Sequence, residues 1–142
     1  GKCFDIPFLE RYFQIRLPQA QIDLRYVLAA LGYTGGLKKC ESRLGLDRGN
    51  LADVDGFFAV LLWKEYRRTG NPRALETLLA YNVEDTVNLE TLMVTAYNLN
   101  LRQTPFLHQL KLADPAPMVN PYTADDQLIR KLKNTLQFQF GS

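Results

Sequence analysis

Apolar residues recur at helical spacing through most of the chain, and each recurrence is bounded by residues that start or stop helices. In "DIPFLERYFQ" the positions Phe8, Leu9, Tyr12 and Phe13 repeat at i, i+1, i+4, i+5 behind Asp5 as a capping residue and Pro7 in the first turn, which predicts a helix. The preceding "KCF" predicts a short strand leading into it. Leu24, Val27, Leu28 and Leu31 predict a second helix, capped by Asp23 in front and Gly32 behind, with Gln21 to Asp23 as a brief strand before it. Leu37, Cys40 and Leu44 face one way on a third helix that Gly45 ends, and Lys38, Lys39 and Arg43 lie on its other face.

The run "FFAVLLWKEYRR" is apolar all round at its start, which predicts a buried helix ending near Gly70. Asn71 and Pro72 then open a long helical segment, an N-cap followed by proline at the first helical position. Leu75, Leu78, Leu79, Val83, Met93 and Ala96 mark its expected buried side, Asn82 is a candidate break, and Tyr81, Asp85 and Asn88 fall on a different, polar side. Gln103 to Tyr122 contains Pro105, Pro115, Pro117 and Pro121 with little periodicity and predicts an extended connector. A final helix is expected from Thr123, with Asp125 and Asp126 in its positive first turn, an apolar stripe of Leu128, Ile129, Leu132 and Leu136, and a basic side of Arg130, Lys131 and Lys133.

Composition narrows the class without naming a function. A chain of 142 residues, 46% hydrophobic and 23% charged, suits one globular domain with a core of its own. Lys plus Arg exceeds Asp plus Glu by only 17 to 15, so net charge gives little support for tight nonspecific binding to nucleic acid. Two local clusters, Lys38, Lys39 and Arg43, and Arg67, Arg68 and Arg73, read equally as a nucleic-acid path and as ordinary surface charge. Cys3 and Cys40 have no metal-site spacing and suit free thiols in a reducing compartment, with a single disulfide as the alternative. The longest apolar run, Phe57 to Trp63, is far below the roughly 20 residues of a membrane span, and no signal peptide opens the chain, so a cytoplasmic protein is expected. The missing initiator Met suggests a piece of a longer protein.

Exclusion leaves carboxylates as the candidate chemistry. The only histidine is His108, in the connector, and the only serines are Ser42 and Ser142, which argues against a Ser-His-Asp triad and a histidine-rich metal site. No phosphate-cradling glycine loop is present. Tyr81 and Asp85, in "LLAYNVEDTVNLETL", stand four residues apart, one helical turn, on one face. A second match, Tyr122 and Asp126, follows the proline-rich connector, where Asp126 is better explained as helix N-terminal charge. Taken alone, Tyr81 and Asp85 also suit a half-buried tyrosine beside a solvated aspartate.

Four segments in order supply context: "GKCFDIPFLERYF", "IDLRYVLAALGYTGGLKKCESRLG", "DGFFAVLLWKEYRR" and "LETLLAYNVEDTVNLETL". Together they resemble the DnaQ-like 3′-to-5′ exonucleases of the RNase H-like superfamily, in particular the tyrosine-type YprB branch, over about Gly1 to Leu101. Gly1, Phe4 and Asp5 match the family's second motif, and Tyr81 and Asp85 its third. The resemblance implies two divalent cations, Mg2+ or Mn2+, held by carboxylates, with Asp5 and Asp85 as metal ligands and Tyr81 positioning the attacking water. It implies nucleic acid, single-stranded DNA or RNA, as substrate. Asp23 lies in a family-like stretch, but its simpler task is the helix cap.

The family's first motif, Asp-x-Glu on the first strand, occurs nowhere in this chain. Its nearest imitation, Asp53 and Asp55 in "ADVDG", precedes an apolar helix, and Asp55 reads as that helix's cap. The expected fold is therefore an α/β RNase H-like exonuclease domain lacking its first strands, mostly helical here, spanning residues 1–102. Residues 103–142 form the connector and a helical extension. Half a metal site implies a chain inactive by itself, and apolar faces without a sheet imply cover from the last helix folding back or from a homo-oligomer. The alternative is a non-catalytic helical module that binds nucleic acid or protein.

Overall fold

In a computed structural model, seven helices carry the described residues, which are 5–46, 51 and 54–140, the side chains of 136–140 excepted. They are α1 (Asp5–Phe13), α2 (Leu24–Ala30), α3 (Leu37–Arg43), α4 (Gly56–Thr69), α5 (Pro72–Leu101), α6 (Leu107–Leu110) and α7 (Asp126–Phe140). No strand occurs among the described residues. Gln21 to Asp23, expected as a brief strand, is coil whose last residue serves the next helix: the Asp23 carboxylate accepts from the Arg25 N–H at 3.1 Å. The expected strand at 2–4, with Gly1, Cys3, Phe4 and Asp53, lies outside the described residues.

Local chemistry explains most helix boundaries. The α2 C-terminus closes through two bonds, Tyr33 N–H to Leu28 C=O and Gly32 N–H to Ala29 C=O, which require Gly32 at φ +84°. The same closure at the end of α1 uses Gln14 at φ 55°, with the Ile15 N–H donating to Glu10 C=O. Asp55 caps α4, its carboxylate accepting from the Phe58 N–H at 2.8 Å, and Gly70 ends that helix in the left-handed conformation. Asn71 accepts from the Arg73 N–H at 3.1 Å, and Pro72 opens α5. No break occurs at Asn82: α5 runs unbroken for 30 residues.

The chain divides into two compact units, Gly1–Leu44 with Leu92–Leu112, and Gly45–Thr91 with Ala113–Ser142. In the first, Leu28, Cys40, Glu41, Leu92, Val94, Ala96 and Leu101 are buried, and Cys40 is a free thiol. Arg43 donates to Gly32 C=O at 2.9 Å and sits over the Tyr33 ring at 4.8 Å, tying α3 to the turn after α2. The α1 helix has no buried residue, although its pattern is amphipathic; Phe8, Tyr12 and Phe13 instead pack ring to ring along it.

The second unit has one apolar cluster built from Leu51, Val54, Phe58, Leu62, Ala74, Ala80, Tyr81, Leu128 and Ile129, with Leu78, Ala124 and Leu132 against it. Leu128, Ile129 and Leu132 of the α7 stripe thus pack back onto the cluster. The buried stripe of α5 differs from expectation here: Ala74, Thr77, Ala80 and Tyr81 are buried, whereas Leu75, Leu78, Leu79 and Val83 are half-buried. Small side chains permit close approach of neighbouring elements, and Thr77 accepts the Asp125 N–H at 3.0 Å while donating to Arg73 C=O at 2.7 Å. The connector is also anchored rather than merely extended. Asn98 makes two bonds to the Leu112 backbone, at 2.9 and 3.0 Å, and Asn120 donates to Ala80 C=O at 2.9 Å. One helical turn, α6, forms within it.

Leu62, with no exposed surface, sits beside the half-exposed Trp63 on α4. Leu62→Ala is expected to lower unfolding free energy by about 2–5 kcal/mol, and Asp55→Ala by about 1 kcal/mol through the lost cap. Urea denaturation monitored by far-UV circular dichroism measures both.

Candidate functional site

The Tyr81–Asp85 pair is where the site starts, because both residues lie on the unbroken α5 within the second unit. Tyr81, expected on a polar side, is 9% exposed, and its ring belongs to the apolar cluster with Phe58, Leu62, Leu128 and Ile129. The stripe through Ala74, Thr77 and Tyr81 advances three or four residues per step, so Tyr81 follows the buried face and the next step reaches Asp85. Asp85 is half-buried rather than solvated, and its Oδ1 is sealed from solvent. Asn88, a turn further, is half-buried and donates to Glu84 at 3.5 Å.

Asp5 is the first residue of α1, exposed, in the first unit. A carboxylate there suits the positive end of the helix whatever else it does. Oxygen donors such as Asp5 and Asp85 have the right chemistry for a hard divalent cation. A complete donor set is another matter: among the described residues, no three His, Cys, Asp or Glu side chains come together as a group able to hold a metal ion.

The second Tyr-x-x-x-Asp match is resolved by local structure. Tyr122 lies in the connector before α7 and Asp126 is that helix's first residue, so no helical turn relates them. α7 begins at Asp126 rather than Thr123 because Asp125 occupies the cap: its carboxylate accepts from the Leu128 N–H at 3.0 Å and its C=O from the Ile129 N–H. The Leu128 N–H, and then the Arg73 guanidinium at 3.2 Å, hold the Asp125 carboxyl below its ordinary value of 3.8, against a desolvation effect that raises it. Sequence reasoning had no signal for Glu76 and Thr77, which take the Thr123 and Asp125 backbone N–H groups at 3.3 and 3.0 Å. Their partners lie more than 40 residues away.

The basic clusters also separate. Arg43 is engaged with Gly32 and Tyr33, Arg73 with Asp125, and Arg68 with Glu65 at 2.6 Å. Arg67 lies over the Trp63 ring with its guanidinium 5.8 Å from the centroid. No helix among the described residues is long and apolar enough to cross a membrane.

A family model of the RNase H superfamily matches residues 1–97, and the chain belongs to that superfamily. No curated protein and no solved structure matches the chain.

Two outcomes follow from the geometry. Tyr81→Phe keeps the ring and should cost less than Tyr81→Ala, which should lower stability by about 3–5 kcal/mol, as for other large aromatics cut out of a core; urea midpoints decide. Because the folded-state pKa of Asp125 is depressed, its contribution to stability is present above the unfolded value of 3.8 and is lost as pH falls through the folded one. Asp125→Asn should therefore flatten the loss of stability below about pH 4, read from urea midpoints at pH 7 and pH 3.

Proposed function

We propose that this chain is part of a metal-dependent 3′-to-5′ exonuclease of the DnaQ-like type that hydrolyses phosphodiester bonds of single-stranded DNA or RNA in the cytoplasm. The observation that carries the reading is Asp85: a half-buried carboxylate one turn beyond the core-anchored Tyr81, in a chain of the RNase H superfamily. A carboxylate partly withdrawn from water and fixed to a packed helix loses little freedom when it engages a ligand. Membership of a superfamily in which nucleases are typical supplies the reaction class.

In this proposal Asp5 and Asp85 are two of four oxygen donors for Mg2+ or Mn2+. The other two would come from outside these 142 residues. Tyr81, its ring fixed in the core, takes the part of positioning the attacking water rather than removing its proton.

The test is digestion of 5′-labelled single-stranded DNA and RNA with Mn2+. The 142-residue chain alone should leave both intact. A longer protein that includes the sequence encoded upstream should shorten them stepwise from the 3′ end, and Asp85→Asn should abolish that shortening. Digestion by the 142-residue chain itself would refute the half-site, and an inert longer protein would replace the nuclease with a non-catalytic binding module.

A further inference from the structure

The face of α4 turned away from the core carries a pattern that the carboxylate site does not use. Phe58 and Leu62 are buried in the cluster, while Phe57, Val60 and Trp63 are 59%, 48% and 45% exposed. The expectation that this apolar run is buried throughout holds for one side only. At helical spacing the exposed three share their face with Lys64, Arg67 and Arg68, all exposed.

Neither half of the pattern is informative by itself. Single exposed apolar residues are ordinary, and cations in a last turn complement the helix dipole. Interleaving changes the argument. The only acid in α4, Glu65, is half-buried and engages Arg68, so the outer face presents aromatic rings and cations with no exposed carboxylate among them. Trp63 is also held in place. Tyr66, packed against the core, sets its ring 5.8 Å away at 40°, and Arg67 approaches the indole at the same separation. A large indole fixed in this way on the surface is a platform.

Charge selects the occupant. A second copy docking through the same face would gather Lys64 and Arg67 of both copies into one interface with no exposed α4 carboxylate to answer them. A ligand with planar apolar groups strung on a regular polyanion matches both features, and that is a single nucleic-acid strand. Phe57 and Trp63 stand six residues apart, about 9 Å along the helix axis, so each would take a different base. We infer that this face of α4 is a binding site for single-stranded nucleic acid, in which Trp63 and Phe57 stack on bases while Lys64 and Arg67 face phosphates. The inference rests on the nuclease reading for its ligand class but involves neither Asp5 nor Asp85.

Trp63 is the only tryptophan in the chain, so its emission reports directly on the site. The experiment titrates the 142-residue chain with a single-stranded oligothymidylate in EDTA, following tryptophan emission and, separately, anisotropy of a labelled strand. Saturable quenching is expected. Trp63→Leu should weaken binding by about fivefold or more, in line with the loss of one base–aromatic stack. Trp63→Phe should weaken it less, which separates stacking from general apolar contact and from misfolding. Replacing Lys64 and Arg67 by Gln together should reduce the slope of log affinity against log salt by about 1.4. Binding by anisotropy with unchanged emission, and unaffected by Trp63→Leu, would move the strand elsewhere and leave the nuclease reading standing. Emission that changes with protein concentration alone would give the face to a second copy. No binding at low salt would overturn the site outright, with digestion by the longer protein deciding the nuclease reading separately.

Discussion

Burial of one stripe of α5, through Ala74, Thr77, Ala80 and Tyr81, is the constraint on which the second unit depends. Three of the four are small, which lets the cluster residues of α4 and α7 gather against the helix instead of standing off on leucines. Thr77 has no exposed surface, so its hydroxyl must be satisfied from within the fold, and the Asp125 N–H and the Arg73 carbonyl do so. Leaving such a group without a partner costs about 1–3 kcal/mol. One hydrogen bond therefore helps fix where the connector ends and α7 begins. The Asp125 carboxylate then caps α7, and Leu128 and Ile129 reach the cluster.

The same stripe decides the surroundings of the candidate chemistry. Tyr81 is its last buried step, and Asp85 falls where the stripe leaves the core. A carboxylate one turn earlier would face the apolar cluster and pay heavily for its charge; one turn later it would be further along the chain than the core residues that steady it. Its partial burial is thus a consequence of helical period and of where the core ends. Asp5 lacks this support, since α1 buries none of its residues.

Much of the punctuation was legible in the sequence because it depends on residues within four positions of each other. Asp23, Asp55, Asn71–Pro72, Gly32 and Gly70 do in space what their residue types predict. The superfamily was legible too, through the order of four segments rather than any single motif. What failed was the choice of face. A 30-residue helix with Leu at 75, 78 and 79 and Ala at 74 and 80 offers two apolar stripes, and which is buried depends on α7, from residues some fifty positions away. That choice put Tyr81 in the core and left one side of α4 exposed. Gln14 ended α1 in the left-handed conformation without the glycine that ordinarily announces it.

Charge followed the same logic at the surface. Formal net charge of +2 gives little support for a polyanionic partner. Net charge averages over ion pairs that are already satisfied inside the fold, and several of this chain's cations have such local tasks: Arg43 on the α2 turn, Arg68 with Glu65, Arg73 with Asp125. Each ion pair among these largely offsets one positive and one negative charge in what a ligand meets at close range. What a bound strand senses within a Debye length of about 10 Å is the remaining distribution. On the outer face of α4 that distribution is basic beside exposed rings. A nearly neutral chain can therefore present a strongly one-signed surface, and the sign is set by which acids the fold draws inward.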